Sequence, residues 1–230
     1  MRAIYVKKKY LYLCVLLAAV CLAVAVETNR QAQTALAPYH AGIPEKSLVT
    51  LTVNVDWGNE YLPELLRILD EQQVKATFFL TGRWAAENPK LARQIAEGGH
   101  ELGNHGYHHN SPNACGKEEI MKEIKQAEQA IFDATGYRTA LYAPPSGESE
   151  PHVIEAADRC GYRTILWSVD TIDWQNPDRQ TLLDRVESKL TAGSIILAHP
   201  TAVTVAALPQ IIAMVREKGW DFGTVSQNID

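Results

Sequence analysis

Four of the seven histidines of this 230-residue chain fall within thirteen residues, His100-Glu101-Leu102-Gly103-Asn104-His105-Gly106-Tyr107-His108-His109-Asn110-Ser111-Pro112. Imidazole is the commonest protein ligand for zinc and related metals, and two rings can converge on one ion while their other nitrogens are held by neighbouring acceptors. His105 and His109 are the natural pair. An i, i+4 spacing would place them on one face of a helix, but Gly103, Gly106 and Pro112 argue for a structured loop beyond a strand instead. Taken alone, the spacing is only moderately specific, and a polar surface loop with histidine as filler competes with a metal site.

The elements that would carry such a loop alternate. From Ser47 onward, short apolar runs exchange with longer amphipathic ones, the signature of βα units around a parallel sheet or barrel. The pattern predicts strands at Leu48 to Asn54, Lys75 to Leu80, His100 to Asn104, Thr139 to Ala143, Thr164 to Ser168, Ser194 to Ala198 and Asp221 to Thr224. Helices are predicted at Tyr61 to Gln73, Gly82 to Glu97, Lys117 to Ala134, Pro151 to Cys160, Arg179 to Leu190 and Val203 to Lys218. Gly98, Gly136, Gly161, Gly193 and Gly219 follow closely as helix C-caps. In α/β barrels the reactive groups collect at the carboxyl ends of the strands. That rule brings Asn54-Val55-Asp56-Trp57-Gly58, the histidine loop, Ala143-Pro144-Pro145-Ser146-Gly147, Val169-Asp170-Thr171-Ile172-Asp173-Trp174 and His199-Pro200 to one rim. Singly, Asp56 reads as a turn residue, Asp170 and Asp173 as helix-entry carboxylates, Trp174 as a core plug and His199 as a buried, satisfied histidine. Their convergence on one rim is what points to chemistry.

With 46% apolar residues the chain can bury one sizeable core, and its length suits a single globular domain. Residues 1–26 differ from the rest: Arg2, Lys7, Lys8 and Lys9 precede the uncharged run Leu11 to Val26, which ends near Ala23-Val24-Ala25, the layout of a secretory signal. As a helix that run spans roughly 24 Å against a hydrocarbon core of roughly 30 Å, which favours a cleaved signal over a membrane anchor through residues 4–26. Either places the domain 47–230 outside the cytoplasm, behind a polar, Ala-rich tether at 27–46. Without the leader, 18 basic side chains face 27 acidic ones, net −9, which argues against a nucleic-acid partner. Cys115 and Cys160 remain in the exported part, where they could pair or stay as buried small apolar residues.

The order and spacing of the rim segments resemble the polysaccharide deacetylase family, also called the NodB-homology domain or carbohydrate esterase family 4, from about Ser47 to Val225. Leu51 to Gly58 resembles its first motif, Lys75-Ala76-Thr77-Phe78-Phe79 its second strand, Asn104 to His109 its histidine motif, Ala143 to Gly147 the third, Trp167 to Trp174 the fourth and Ile196 to His199 the fifth. The resemblance implies a distorted (β/α)7 barrel and metal-dependent removal of acetyl groups, N-acetyl above all, from an acetylated glycan such as peptidoglycan or a chitin-like oligomer. Such chemistry uses a metal that polarises the carbonyl and acidifies water, a base, and an acid for the leaving amine. It implies His105, His109 and Asp56 as metal ligands, for zinc first and cobalt, nickel or manganese as alternatives. His199 resembles the general acid, Asp173 the carboxylate that orients it, Leu197 the wall of the acetyl-methyl pocket and Trp174 a wall of the site; Asn54 and Pro144 complete the substrate-facing set.

The sequence departs from the family pattern in two places. Members carry two adjacent aspartates followed by glycine in the first motif, the first a base and the second a ligand; here Asn54 falls at the base position, and an amide accepts no proton at working pH. Strand alternation points Asn54 and Asp56 to the same side, so the ligand role, and with it the base role, passes to Asp56. The third motif begins with Ala143 where members have an arginine that pairs with the base, and a buried guanidinium facing an amide would lack its compensating charge. A metal-dependent deacetylase is the leading expectation. The alternatives are a glycan-binding or envelope protein that has lost turnover and a hydrolase of another carbon-nitrogen bond in a small molecule.

Overall fold

The computed structural model describes residues 14–22 and 37–230. Residues 14–22 form a helix, α1, and the rest of the leader expected over 1–26 lies outside the described residues. Among the described residues no helix is long and apolar enough to cross a membrane. The second unit, Pro38–Asp230, is built on a parallel sheet. Its strands are β1 (Leu48–Val55), β2 (Thr77–Leu80), β3 (Glu101–Asn104), β4 (Leu141–Tyr142), β5 (Arg163–Thr164), β6 (Val169–Asp170), β7 (Ile195–Ala198) and β8 (Asp221–Phe222). They lie in the order β5-β4-β3-β2-β1-β7-β6, with β8 on the first residues of β1. The sheet curls into a barrel that stays open between β5 and β6. The helices are α2 (Leu62–Glu71), α3 (Gly82–Glu87), α4 (Pro89–Glu97), α5 (Lys117–Thr135), α6 (Pro151–Arg159), α7 (Arg179–Lys189), α8 (Ala202–Glu217) and α9 (Val225–Ile229).

Strand alternation decides which face β1 gives to which layer. Val49, Leu51, Val53 and Val55 enter the main apolar cluster with Leu62, Leu65 and Leu69 of α2 and with Leu208, Ile211 and Val215 of α8. The alternate residues Thr50, Thr52 and Asn54 are also buried, but they stay out of that cluster. Thr50 and Thr52 donate to the carbonyls of Thr224 and Ile196, which satisfies their hydroxyls without water. A second cluster of Phe79, Leu141, Ala143, Ile165 and Ile195 is closed by Val225 and Ile229 of α9.

Four details differ from the sequence reading. The helix expected over Gly82 to Glu97 breaks at Asn88, because Pro89 has no N–H to give and disfavours helical geometry in the residue before it. The strand expected over Thr164 to Ser168 is replaced by two short strands flanking the barrel's opening. Between them, Leu166 N donates to Tyr39 O and Tyr39 N to Thr164 O, so this backbone pairs with the chain's own N-terminal segment. The tether expected over 27–46 is therefore bonded to the domain in its last part, with Gly42 N on Gly193 O and Ile43 N on Asn228 O; residues 27–36 lie outside the described residues. Helix α9, which was not foreseen, starts at a capping box in which Thr224 and Gln227 exchange side-chain and backbone bonds. Cys115 and Cys160 are free thiols beside Ile120 and Tyr142.

Candidate active site

The loops beyond the carboxyl ends of the strands enclose a cavity of about 450 Å³. Asn54, Asp56 and Trp57 line it from the β1 side, His105 and His109 from β3, and Ser146 and Gly147 from β4. Trp167, Asp170, Trp174, Leu197 and His199 complete the wall. Of the residues expected at the site, two are absent from this lining: Asp173, which is fully buried behind His199, and Pro144. Pro144 is buried at the entry to the turn Pro145–Gly147, where its carbonyl accepts from Gly147 N, so the turn and not the proline meets the cavity.

The histidine loop is held from both ends. His105 N donates to Leu80 O, extending the β2–β3 pairing past the last strand residue. Asn104 uses its whole side chain beneath the loop, donating to Ile124 O and accepting from Gly106 N. Glu123 on α5 accepts from Tyr107 N, His108 N and the His108 ring. Burial pushes the Glu123 carboxyl up, but these hydrogen bonds outweigh it and hold the group below the usual carboxylate range. The sequence signal for Glu123 was absent, since nothing local links it to a loop fifteen residues away. His105 and His109 come together with ring centroids 5.0 Å apart, and His109 adopts a left-handed φ of 60° to reach that position.

His105 is buried and donates from Nδ1 to the Ala143 carbonyl at 2.6 Å, which leaves Nε2 for the cavity. The tautomer follows from that acceptor. Burial first, and then the neighbouring His109, lower its pKa to about 3, so it is neutral over the ordinary pH range. A neutral imidazole with one nitrogen anchored on a carbonyl is what a metal ligand requires.

The acid expected beside this pair is engaged elsewhere. Asp56 accepts from Thr81 Oγ1 at 2.7 Å and from Arg83 Nη2 through both oxygens, at 2.9 and 3.0 Å. Thr81 caps α3 and Arg83 lies in its first turn, so the end of β2 delivers both partners to the end of β1. Among the described residues no group of three His, Cys, Asp or Glu side chains is arranged to hold a metal ion. The two imidazoles of the expected His-His-Asp set come together, and the Asp56 carboxylate lines the same cavity bonded to Arg83 and Thr81. Asn54 does not replace it: its Oδ1 is buried without any hydrogen-bond partner, and its amide is neutral.

His199 and Asp173 form the pair that the sequence suggested. Asp173, fully buried, accepts from His199 Nδ1 at 2.7 Å, from His199 N at 2.6 Å and from Thr204 Oγ1 at the start of α8. Three donors keep the carboxylate satisfied out of water and fix the imidazole with Nε2 free. Ile172, just before it, holds φ 51°. A β-branched residue in that region costs about 1–3 kcal/mol, and its position next to Asp173 puts the strain where the dyad is set.

Against this geometry the comparisons are specific. The polysaccharide deacetylase family model matches residues 41–165. The chain belongs to the polysaccharide deacetylase family. A solved structure from Bacillus anthracis, described as a pseudoenzyme of carbohydrate esterase family 4, superposes with a TM-score of 0.82 at 42% identity, covering 84% of this chain and 69% of that one. A mutant of that protein is described as having restored enzymatic activity. The uncharacterized protein YlxY of Bacillus subtilis is 42% identical over 84% of this chain, and the chain spans 60% of YlxY's length. A peptidoglycan-N-acetylglucosamine deacetylase of Bacillus cereus is 30% identical over 79% of this chain and 88% of its own. The chain has the fold of that family, and His199, held by Asp173, faces the cavity that Asn54, Asp56 and Trp57 line from β1.

Proposed function

We propose that this chain is a binder of acetylated cell-wall glycan, outside the cytoplasm, whose hydrolytic apparatus is incomplete. One observation carries the reading: β1 gives the cavity a neutral amide, Asn54, and a single carboxylate, Asp56, whose oxygens are taken up by Arg83 and Thr81. An amide hydrolysis needs a group to take a proton from the attacking water, and the neutral Asn54 side chain cannot do so. What remains suits holding a glycan. His199 Nε2 and the Asn54 amide offer polar contacts to an acetamido group, Leu197 an apolar wall for its methyl, and the tryptophans a surface for sugar rings. The Bacillus anthracis relative supports the loss of turnover, and the deacetylase relatives support peptidoglycan as the glycan. The apolar run at 11–26 supports export, with cleavage or attachment through residues 4–26.

A second reading, a zinc-, cobalt-, nickel- or manganese-dependent deacetylase, is favoured by the intact His105–His109 pair and the intact dyad. Acetate release from N-acetylglucosamine oligomers and peptidoglycan fragments separates the two. Wild type is expected to bind the oligomer without releasing acetate at any added metal, and the double variant Asn54→Asp with Ala143→Arg is expected to gain release. Acetate release by wild type that His199→Ala abolishes would overturn the binding-only reading.

A further inference from the structure

Trp57 stands between Asp56 and Gly58, so that an indole and not an aspartate precedes the glycine of the first motif. Gly58 fixes the loop: it holds φ 85°, and a Cβ there would lie 2.2 Å from the Pro200 carbonyl oxygen. The close approach of backbone to backbone, possible only for glycine, draws the β1 loop against the His199-Pro200 segment. The Trp57 indole is thereby laid beside His199, with ring planes within 6° of parallel and centroids 6.0 Å apart. Trp57 nevertheless keeps 45% of its surface exposed at the cavity, and Trp174 keeps 57%. Trp167 sits deeper, its ring so near Gly147 that a Cβ there would come within 2.6 Å of it.

Three of the chain's five tryptophans therefore line one cavity, and two of them leave large apolar surface in water. An indole exposed in this way at the mouth of a cavity marks a ligand contact. The polar groups between the rings, Asn54, Ser146, Asp170 and His199, are of the kind that pair with hydroxyl and acetamido groups. A ligand that offers flat C–H faces and an equatorial ring of hydrogen-bonding groups is a pyranose, and the cavity is within the roughly 300–1,000 Å³ range of small-ligand sites.

We propose that Trp57 is a stacking platform for a pyranose ring of an N-acetylated glycan, a subsite formed where Gly58 packs the β1 loop against Pro200. It rests on the glycan-binding reading and adds the residue that holds the sugar above His199. The test is calorimetric titration of the full chain with tetra-N-acetylchitotetraose, alongside saturation-transfer NMR on the sugar's ring protons. Wild type is expected to bind, with transfer strongest to the axial protons of one sugar face. Trp57→Ala is expected to weaken binding at least tenfold and to remove that pattern, and Trp57→Tyr to restore most of both. Unchanged affinity in Trp57→Ala overturns the subsite while leaving the glycan reading standing. A loss that Trp57→Tyr does not rescue also overturns it. No binding by wild type overturns the glycan reading and the subsite together.

Discussion

Arg83 holds the Asp56 carboxylate in the cavity that His105 and His109 also line, so replacing it tests whether this ion pair withholds the acid from a metal. The pair is held by one guanidinium nitrogen on both carboxylate oxygens, with the Arg83 side chain 42% exposed and that of Asp56 19% exposed. Solvent screening on the arginine side brings such a pair well below a buried charge-assisted bond, to about 1–2 kcal/mol. The Thr81 hydrogen bond is unaffected by the change and cancels. Because about 1.4 kcal/mol is tenfold in affinity, Arg83→Met, which keeps the apolar stem, is expected to raise zinc affinity about tenfold in a chelator-competition titration. Adding Asp56→Asn should return it to the wild-type value, because the gain runs through that carboxylate. Equal zinc affinity in wild type and Arg83→Met, or a gain that survives Asp56→Asn, refutes the view that the ion pair withholds the acid.

Acid should weaken the fold through His100, whose Nδ1 accepts from Ala76 N inside the barrel wall and whose pKa is lowered to about 4, by burial first and then by Lys75. A lowered folded pKa means that the unfolded chain binds the proton more readily, so this contribution is complete above about pH 6.5 and is lost as pH falls toward 4. The full effect is about 3 kcal/mol; urea midpoints measured from pH 7 to 4.5 should fall, and His100→Gln should flatten part of that slope, with His105 and carboxyls of lowered pKa such as Glu123 adding in the same direction. Identical slopes in the two proteins would contradict this assignment. Glu123→Ala leaves Tyr107 N and His108 N without their acceptor, and is expected to cost about 2 kcal/mol and to accelerate hydrogen exchange at those two amides. Exchange unchanged there would show that the histidine loop is held by other contacts.

Local patterns in the chain were enough to specify the βα alternation and the convergence of the histidine loop, Asp173 and His199 on one rim. These depend on periodicity and on residues near strand ends, which act over a few positions. The helix break at Pro89 and the Thr224–Gln227 box that starts α9 were equally local, and both were written in the sequence. The partners of Asp56 were not: Thr81 and Arg83 lie 25 and 27 residues away and meet it only because β2 pairs alongside β1. The same holds for Glu123 under the histidine loop, for Tyr39 filling the gap beside β5, and for Trp57 drawn over His199 by the packing of Gly58 on Pro200. A carboxylate's chemistry is set by whichever charges reach it, and reach is a property of strand pairing. Folding thus turned a residue that reads as a ligand into half of an ion pair.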